Sequence, residues 1–446
     1  MKNQEINRLW VLIDKFRGAF DTTELYKIIV YALLLKFLEL KKDELDFYDK
    51  EFSLGYLSQM YGKIIYSEHL TGYLAKVENF YNIEHGVLCE TIDAILCKAD
   101  ENSVRHIFEA VNSIEIKEQK DLYEFAKLIV ERMSLLIKKT SNFSYSSESL
   151  VKLEKAILNT QDGMKVYDGY CGSGLSVNEV AAGKGTVYLQ DSSVQIIGIA
   201  TIVTILSGNR IGSIKCGDSI LNPISANDKY DRIVVETPLK IKYKTEYLMN
   251  IEEQNVLYSN CGESETIGIG HAIARLSENG IAIVLVPMGI LFRSTKKIVQ
   301  IRECLVEDKY VDSIVELPPG VIPNTSFTSA FVILKRNKKS EEVFMINAED
   351  FLVKDRKVCS ISDEKVAELI EILQGKKDVK NVSAKISKKT LKENAYDLCP
   401  HRYIMNDPMD NLVIKDTKKI DSQYKELKEE LKYIEGNLDI IRKRFI

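Results

Sequence analysis

Short apolar segments alternate with helical patterns through the middle of the chain, and this alternation limits the possible folds more than any other feature. The candidate strands are apolar at consecutive positions, which is typical of strands buried on both faces. Strands separated by helices predict a parallel sheet covered on both sides. The predicted strands are Lys165–Tyr167, Thr186–Leu189, Ser213–Lys215, Arg232–Val235, Gly280–Val286, Val311–Glu316 and Ser329–Lys335, with helices at Val194–Ser207 and Thr266–Ser277 among them.

The segments on either side have a different character, and the sequence predicts three regions. Residues 1–140 have helical periodicity throughout, and Asp21-Thr-Thr-Glu24 is a capping box that opens a helix through Leu40. Residues 141–356 form the predicted α/β domain. Residues 357–446 form a lysine-rich C-terminal region, in which 375–381 is expected to be an exposed linker.

The last part of the chain carries a heptad pattern. Apolar residues follow one another at alternating spacings of four and three, which predicts a coiled-coil-type helix over 418–446. Such a seam needs a partner helix, either in another subunit or on the body of this protein. The seam residues are Ile420, Tyr424, Leu427, Leu431, Ile434, Leu438, Ile441 and Phe445.

Composition limits the cellular setting and the partners. The net charge of −4 gives no overall attraction to nucleic acid, so DNA binding would need a local basic face or a companion subunit. The eight cysteines are scattered without a Cys-x-x-Cys pair, which disfavours a structural zinc site and favours a reducing cytoplasm. We expect no membrane segment, because the longest apolar run, Ile28–Leu35, is far too short to span a bilayer.

A glycine turn follows the first predicted strand. Asp168 ends that strand, and Gly172-x-Gly174 then leads into a predicted helix from Leu175 to Ala182. Glycines let a ligand approach the backbone closely because no Cβ stands in the way. The helix start behind them offers free N–H groups to an anionic group. The turn is typical of nucleotide-binding α/β domains, although structural turns also carry this pattern.

Carboxylates stand at the ends of successive strands. Asp168, Asp191 and Asp218 follow the first three strands, where ligands of such sheets bind. A lone aspartate in this position is usually a turn former or helix cap, but three around one Gly-x-Gly favour a nucleoside-type ligand. A nicotinamide-dependent oxidoreductase is disfavoured, because Val177 occupies the place of the third glycine in Gly-x-Gly-x-x-Gly.

The order of these motifs resembles a known family over nearly the whole chain. It is similar to the modification (M) subunits of type I restriction–modification systems, which are S-adenosylmethionine-dependent N6-adenine DNA methyltransferases. The matching segments run from the N-terminal helices to the last predicted strands and beyond. They are Leu9-Trp10, Phe16-Arg17-Gly18, Tyr167–Gly174, Tyr188–Asp191, Gly217–Ser219, Asn279-Gly280, Val286-Pro287, Gly289–Arg293, Ile301-Arg302, Glu316–Pro318, Asn324-Thr325, and Tyr396-Asp-Leu with Arg402-Tyr403.

The resemblance implies a Rossmann-like class I methyltransferase domain and S-adenosylmethionine as cofactor. It also implies DNA and a specificity subunit or second methyltransferase subunit as partners, with the final helices packing on the specificity subunit. Residues 143–147 stand where the family has an entry segment, of which Ser146 keeps a hydroxyl. The implied cofactor-binding residues are Ser146, Asp168, Gly169, Cys171, Gly172, Gly174, Asp191 and Asp218.

The chain departs from the family after the fourth strand. The family has Asn-Pro-Pro followed by Phe or Tyr, whereas this chain has Glu236, Thr237, Pro238 and Leu239. The asparagine and a backbone carbonyl accept both N–H bonds of the adenine amine, and the aromatic ring stacks on the flipped base. Glutamate is longer and charged, and leucine supplies no such stacking, worth about 1–3 kcal/mol per base.

Two interpretations follow from this departure. The first is a catalytically degenerate subunit that still binds the cofactor and acts within a DNA-modifying or defence complex. The alternative is an active N6-adenine DNA methyltransferase with an atypical Glu-Thr-Pro-Leu motif. The first is preferred, because the cofactor half of the pattern is kept while three of the four base-binding positions have changed type.

Overall fold

The structure is a computed structural model. It describes residues 22–96, 99–136, 146–225, 227–238, 241–244, 263–322, 327–355 and 358–404, together with residues 11 and 325. The capping aspartate Asp21, the entry segment before Ser146, residue Leu239 and the heptad helix 418–446 lie outside these residues. Within the described part of the chain, no helix combines the length and apolar character needed to cross a membrane.

Helices occupy the described part of the chain before the sheet. The first of them is apolar almost all round, since nearly every side chain from Leu25 to Leu38 is buried. A helix of that composition must be covered on all sides, and it packs against the fifth and sixth helices and against the helix Val194–Ser207 of the sheet region. The helices are α1 (Thr22–Leu40), α2 (Leu54–Met60), α3 (Lys63–Phe80), α4 (Cys89–Leu96), α5 (Glu101–Asn112), α6 (Gln119–Leu136) and α7 (Glu148–Leu158).

A nine-stranded sheet forms the centre of the described structure, in the order β11-β8-β6-β7-β5-β4-β1-β2-β3. All of the predicted strands form, most of them longer than predicted. The sheet is not purely parallel as expected, because β7 runs antiparallel to β5 and β6, and β11 runs antiparallel to β8. The strands are β1 (Lys165–Asp168), β2 (Thr186–Asp191), β3 (Arg210–Cys216), β4 (Tyr230–Val235), β5 (Leu276–Pro287), β6 (Val311–Leu317), β7 (Ser329–Lys335), β8 (Val343–Asn347) and β11 (Ser383–Ile386).

Helices cover both faces of this sheet. On one face lie α8 (Leu175–Ala181) and α9 (Val194–Ser207), and on the other lie α10 (Ser264–Arg275), α11 (Gly289–Phe292) and α12 (Lys296–Glu307). Neighbouring strand residues such as Val166 and Tyr167 belong to different core clusters, because successive side chains point to opposite faces. Helix α10 ends two residues earlier than the predicted Ser277, where β5 begins.

The chain after residue 356 contributes to the same sheet. It contains β10 (Val358–Ser360), which pairs with β9 (Val353–Asp355), then α13 (Asp363–Gly375), β11 and α14 (Lys388–Glu393). The segment 375–381 is largely exposed but is not a linker. It is a turn between α13 and β11, and its Lys376 Nζ lies 2.6 Å from Asp312 Oδ2 at the start of β6. The boundaries 1–140, 141–356 and 357–446 stay a prediction.

Candidate functional site

The strand order creates a crevice at the carboxyl end of β1. Strand β1 pairs in parallel with β2 on one side and with β4 on the other, so the chain connections leave it in opposite directions. Ligands of such sheets bind at this switch point. The structure brings Asp168, Asp191, Asp218 and Glu236 to this edge, at or just after the ends of β1, β2, β3 and β4 respectively.

The glycine turn after β1 has the backbone that its sequence requires. Gly172 and Gly174 have φ values of 51° and 76°, in the left-handed region that favours glycine. A Cβ at Gly174 would lie 3.2 Å from Ala200 Cβ, so the start of α8 packs directly on α9. A Cβ at Gly169 would lie 2.5 Å from the Tyr167 hydroxyl, so this position also admits no side chain without rearrangement.

Asp191 connects the end of β2 to the glycine turn. Its Oδ2 accepts a hydrogen bond from Gly172 N at 3.1 Å, and its Oδ1 accepts one from Ser193 N at 2.9 Å. In the same turn, Cys171 N donates to Gln190 O at 3.1 Å. Burial raises the pKa of Asp191, although these backbone donors oppose the rise. The carboxylate therefore fixes the turn in position and keeps lone pairs available at the edge of the crevice.

Asp168 is almost fully buried at the end of β1. Its Oδ1 accepts a hydrogen bond from Tyr170 N at 2.9 Å. Burial raises the pKa of Asp168 well above its usual range, and Glu236 and Asp191 raise it further against the effect of the Tyr170 hydrogen bond. Cys171 is also buried, and burial followed by the charges of Asp191 and Asp168 raises the pKa of its thiol. An inert buried thiol fits a packing role for Cys171.

Asp218 forms a turn after β3. Its Oδ1 accepts hydrogen bonds from Ile220 N at 2.8 Å and Leu221 N at 3.1 Å. Tyr243 lies near Asp218, and burial followed by the charge of Asp218 raises the pKa of its phenol. Tyr243 was not predicted as a site residue. It lies in a loop without periodicity, and no pattern in the sequence singles it out.

The four-residue segment after β4 is described as far as Pro238. Thr237 is buried, while Glu236 and Pro238 are partly exposed. The Pro238 carbonyl accepts a hydrogen bond from Ser264 Oγ at 2.6 Å, which ties the segment to the start of α10. Leu239 lies outside the described residues, so its predicted position is not tested.

Glu236 is held by two polar side chains of the preceding region. Ser146 Oγ donates a hydrogen bond to Glu236 Oε1, which places the predicted Ser146 at the site. The carboxyl group of Glu154, on α7, neighbours that of Glu236, and each acts on the pKa of the other. Glu154 in turn accepts a hydrogen bond from Ser176 Oγ on α8. The carboxyl group at residue 236 is therefore anchored on the side of α7 and α8.

Burial changes the acidity of both glutamates. Burial raises the pKa of Glu154 well above its usual range, and the neighbouring Glu236 raises it further, against the effect of the Ser176 hydrogen bond. Burial raises the pKa of Glu236 as well, although the hydrogen bonds from Ser146 and Glu154 oppose the rise. Two adjacent carboxyl groups do not both ionise readily, because the second charge is repelled by the first.

Glu154 was missed by the sequence interpretation, although a signal was present. Leu150, Glu154 and Leu158 are spaced by four residues on the buried side of α7. A glutamate in the apolar stripe of an amphipathic helix is unusual, because a buried carboxylate is costly unless it is paired or protonated. That position alone indicates a carboxyl group with a specific partner.

The residues at the crevice fit a polar nucleoside ligand such as the predicted cofactor. The Oγ atoms of Ser219, after β3, and of Thr237, after β4, are buried without a hydrogen-bond partner among the described residues. Buried polar atoms normally have partners, which the hydroxyl and amino groups of a bound nucleoside would supply. A cavity of about 470 Å³ lined by Lys229, Leu276 and Arg336 lies at the opposite, amino end of β4 and β5 and belongs to a different part of the molecule.

Comparison with known families decides the classification. Residues 120–411, more than half of the chain, match the family of N-6 DNA methylases. The chain belongs to the N-6 DNA methylase family. This match confirms the family predicted from the motifs of the sequence.

Relatives of the N-6 DNA methylase chain include subunits of type I restriction enzymes. The chain is 26% identical over 184 residues to the methylase subunit of the type I restriction enzyme MpnII of Mycoplasma pneumoniae. That match covers 38% of this chain and only 34% of the relative, about a third of its length. The chain is 23% identical to the methylase subunit of the type I restriction enzyme MjaIX of Methanocaldococcus jannaschii, over 89% of this chain and 83% of that subunit.

Solved structures share the fold over most of the chain. The methyltransferase subunit of a type I restriction–modification system from Streptococcus thermophilus superposes with a TM-score of 0.72 at 17% identity, covering 90% of this chain and 99% of that one. A modification subunit of a putative type I restriction enzyme from Vibrio vulnificus gives a TM-score of 0.66 at 15% identity, covering 85% and 92%. The predicted α/β, Rossmann-like methyltransferase fold with helices before it is confirmed.

Proposed function

We propose that this N-6 DNA methylase chain is a type I-like modification subunit that binds S-adenosylmethionine but is catalytically degenerate. The observation that carries the proposal is the identity of residue 236, a glutamate, and the contacts of its carboxyl group. A carboxyl group stands where the family has the asparagine amide, and Ser146 and Glu154 hold it from behind. The relatives named above, which are methylase subunits of type I restriction enzymes, support the same family role.

The cofactor half of the site is intact in this proposal. Gly172 and Gly174 give close backbone approach for the methionine part of the cofactor, and Asp168 orients the turn that carries them. Asp191 accepts hydrogen bonds from the ribose, and Asp218 accepts one from the adenine amine. When bound, the cofactor supplies an electrophilic methyl group. The residues of this chain position it and exclude water from it.

The base half of the site is impaired for physical reasons. Methyl transfer to the adenine amine requires acceptors placed on its two N–H bonds, and an error of about 1 Å costs about a hundredfold in rate. Glu236 places its oxygens one methylene further out than asparagine. Thr237 replaces a proline in the same segment, and Leu239 offers no aromatic stacking for a flipped base.

The chain acts within an assembly in this proposal. DNA is the substrate of the complex, and a specificity subunit or second methyltransferase subunit binds the heptad helix 418–446. That helix lies outside the described residues, so its role rests on the repeated apolar seam in the sequence. A cytoplasmic location fits such a role and the predicted reduced state of the cysteines.

The alternative function is an active N6-adenine methyltransferase, and one observation favours it. Glu236 is partly exposed, and burial raises its pKa. A neutral carboxylic acid has a carbonyl oxygen that accepts hydrogen bonds as an amide oxygen does. Methyl transfer that depends on Glu236 would support this alternative.

Calorimetric titration of the purified full-length chain with S-adenosylmethionine tests the cofactor half of the proposal. Saturable binding with one site per chain is expected. The absence of binding, in a chain whose folding is verified by circular dichroism, would show that the pocket does not take the cofactor. S-adenosylhomocysteine is a second probe, because it contains the same nucleoside and amino acid without the transferable methyl group.

A further inference from the structure

The side chain of Glu154 is fully buried, yet one of its oxygens has no conventional partner. Its Oε2 accepts a hydrogen bond from Ser176 Oγ. Its Oε1 is buried and receives no N–H or O–H bond from the described residues. The polar group that acts on Glu154 most strongly is the neighbouring carboxyl group of Glu236, which raises the pKa of Glu154 beyond the effect of burial. Two carboxyl groups can hydrogen-bond to each other only if one of them carries a proton.

The surroundings of this pair contain acidic groups and hydroxyls. Asp168, at the end of β1, is a further carboxyl group that raises the pKa of Glu154, and Glu236 in turn raises the pKa of Asp168. Ser146 and Ser176 donate from the segment before α7 and from α8. Among the described residues, no cationic side chain contributes to the environment of either glutamate. Lys155, the neighbour of Glu154 on α7, instead pairs with Glu179 at 3.0 Å.

A metal ion is not the natural partner of this pair. The described residues contain one group of three whose potential ligand atoms converge, and its members are Glu78, His85 and Cys89 rather than Glu154 or Glu236. Glu78 in that group already accepts backbone hydrogen bonds from Gly86, Leu88 and Cys89 at the start of α4. A shared proton rather than a cation therefore accounts for the contact between Glu154 and Glu236.

We propose that Glu154 and Glu236 share one proton, and that Glu154 is a positioning residue that directs a carboxylate oxygen of Glu236 toward a cationic ligand in the crevice. The inference deepens the proposed function, on which it rests for the identity of that ligand as the sulfonium cofactor. The pair keeps a single negative charge, which suits a ligand with a positive charge and amine N–H groups. The apolar core below the pair makes a second charge unfavourable.

The pH dependence of stability tests the shared proton without any ligand. Because burial raises the pKa of both groups above the value in the unfolded chain, protonation favours the folded state. Their contribution is complete below the unfolded pKa of 4.5 and is lost as the pH rises through the folded pKa values. Glu154→Gln keeps a hydrogen-bond donor to Glu236 but removes the titration. In urea unfolding, the variant is expected to lose less stability than the wild type as the pH rises above the unfolded pKa of these groups.

Glu179→Gln is the matched control, because Glu179 is a largely buried glutamate on a neighbouring helix, α8. Burial acts to raise the pKa of Glu179, but the ammonium groups of Lys127 and Lys155 outweigh it and lower the pKa. Its stabilisation is present above the unfolded pKa and is lost as the pH falls, which is the opposite sign. Glu179→Gln should therefore leave the loss of stability with rising pH as it is in the wild type.

Calorimetry in buffers of different ionisation enthalpy tests the link to the ligand. Binding of S-adenosylmethionine should release a fraction of a proton from the wild type near pH 7, because a cation favours ionisation of the pair. The release should be absent in Glu154→Gln. It should also be absent in a second variant, Glu236→Gln, which changes the more exposed of the two glutamates. One outcome separates the two parts of the inference. If neither the wild type nor the variants give a heat of binding, while only the wild type loses the extra stability with rising pH, the proposed cofactor is rejected and the shared proton stands. The inference would be overturned if the wild type and Glu154→Gln lost equal stability with rising pH, or released equal numbers of protons on binding.

Discussion

A carboxyl group at residue 236 has a different hydrogen-bonding repertoire from the amide of the family pattern. An amide has a fixed acceptor and a fixed donor, whereas a carboxylate only accepts and gains a donor only on protonation. Here Ser146 donates a hydrogen bond to Glu236, and the carboxyl group of Glu154 neighbours it. The local network therefore stabilises the carboxyl group in its present position and does not prepare it for a purine amine.

Asp191 carries a prediction at the scale of single residues. Asp191→Ala removes the acceptor for Gly172 N and the proposed acceptor for the ribose. Hydrogen bonds to charged groups contribute about 1.5–3 kcal/mol, so the affinity for S-adenosylmethionine should fall about 10- to 100-fold. Calorimetric titration measures the change.

Asp350→Ala is the control for that experiment, because Asp350 is exposed in the short turn after β8. Its affinity for the cofactor should equal that of the wild type. Wild-type affinity in Asp191→Ala as well would remove Asp191 from the cofactor site and limit it to holding the glycine turn.

At the scale of elements, the close contact between α8 and α9 fixes the glycine turn. Gly174 begins α8 in a left-handed conformation, and Ala200 of α9 faces it. Helix α9 is buried nearly all round, because α1 and α6 cover the side that faces away from the sheet. The position of the turn therefore depends on helical packing from the first part of the chain as well as on its own sequence.

Two glycines with the same backbone separate the effects of conformation and packing. Gly174 and Gly183 both have φ 76°, but only Gly174 has a neighbour within 4 Å of an added Cβ. Gly183→Ala should lower the free energy of unfolding by about 1–2 kcal/mol through the left-handed conformation alone. Gly174→Ala should lose about 1–3 kcal/mol more, because Ala200 must move.

Urea unfolding of both variants measures these two losses. Equal losses at the two positions would mean that α9 moves freely away from α8 and that the glycine turn is not held by this packing. Cofactor affinity gives a second readout, since only Gly174→Ala is expected to disturb the turn.

The strand ends show how far the sequence predicts this architecture. Continuous apolar runs marked β1, β2, β4 and β5 correctly, because burial on both faces leaves a clear pattern. The antiparallel direction of β7 was missed, because direction depends on where the preceding loop re-enters the sheet. Strand β11 was missed because its sequence, Ser383–Ile386, is short and half polar at the sheet edge.

The candidate site was also predicted only in part. Asp168, Asp191 and Asp218 were predicted at one edge from their places after strands, and the structure brings them there. Their roles toward the cofactor stay predictions. The contact of Glu154 with Glu236 joins residues far apart in sequence, so only the fold could reveal it.

At the scale of the whole molecule, the proposed function makes the chain one part of an assembly. The described residues form a sheet covered on both faces, and the helices before it share a core with one of those faces. The heptad seam in 418–446 lies outside the described residues. Its apolar residues are expected to be buried by a partner subunit.

Substitution on the seam tests that expectation. Leu431→Glu places a charge at a seam position and should abolish co-purification of the partner subunits, because an unpaired buried charge is highly unfavourable. Lys432→Glu changes the charge beside the seam and should leave the complex intact. Retention of the complex by Leu431→Glu, and by truncation after Lys418, would indicate that the helix packs on its own body.

Methyl transfer from labelled S-adenosylmethionine to DNA is the direct test of whether this chain is catalytically degenerate. The complex is purified with all its subunits, once with the wild-type chain and once with Glu236→Ala, while any companion methyltransferase stays intact. We predict that the two complexes transfer methyl groups at the same rate within about twofold, because residue 236 takes no part in the chemistry. A loss of about a hundredfold or more in Glu236→Ala, with cofactor binding unchanged, would contradict this prediction and show that this chain is itself the methyltransferase.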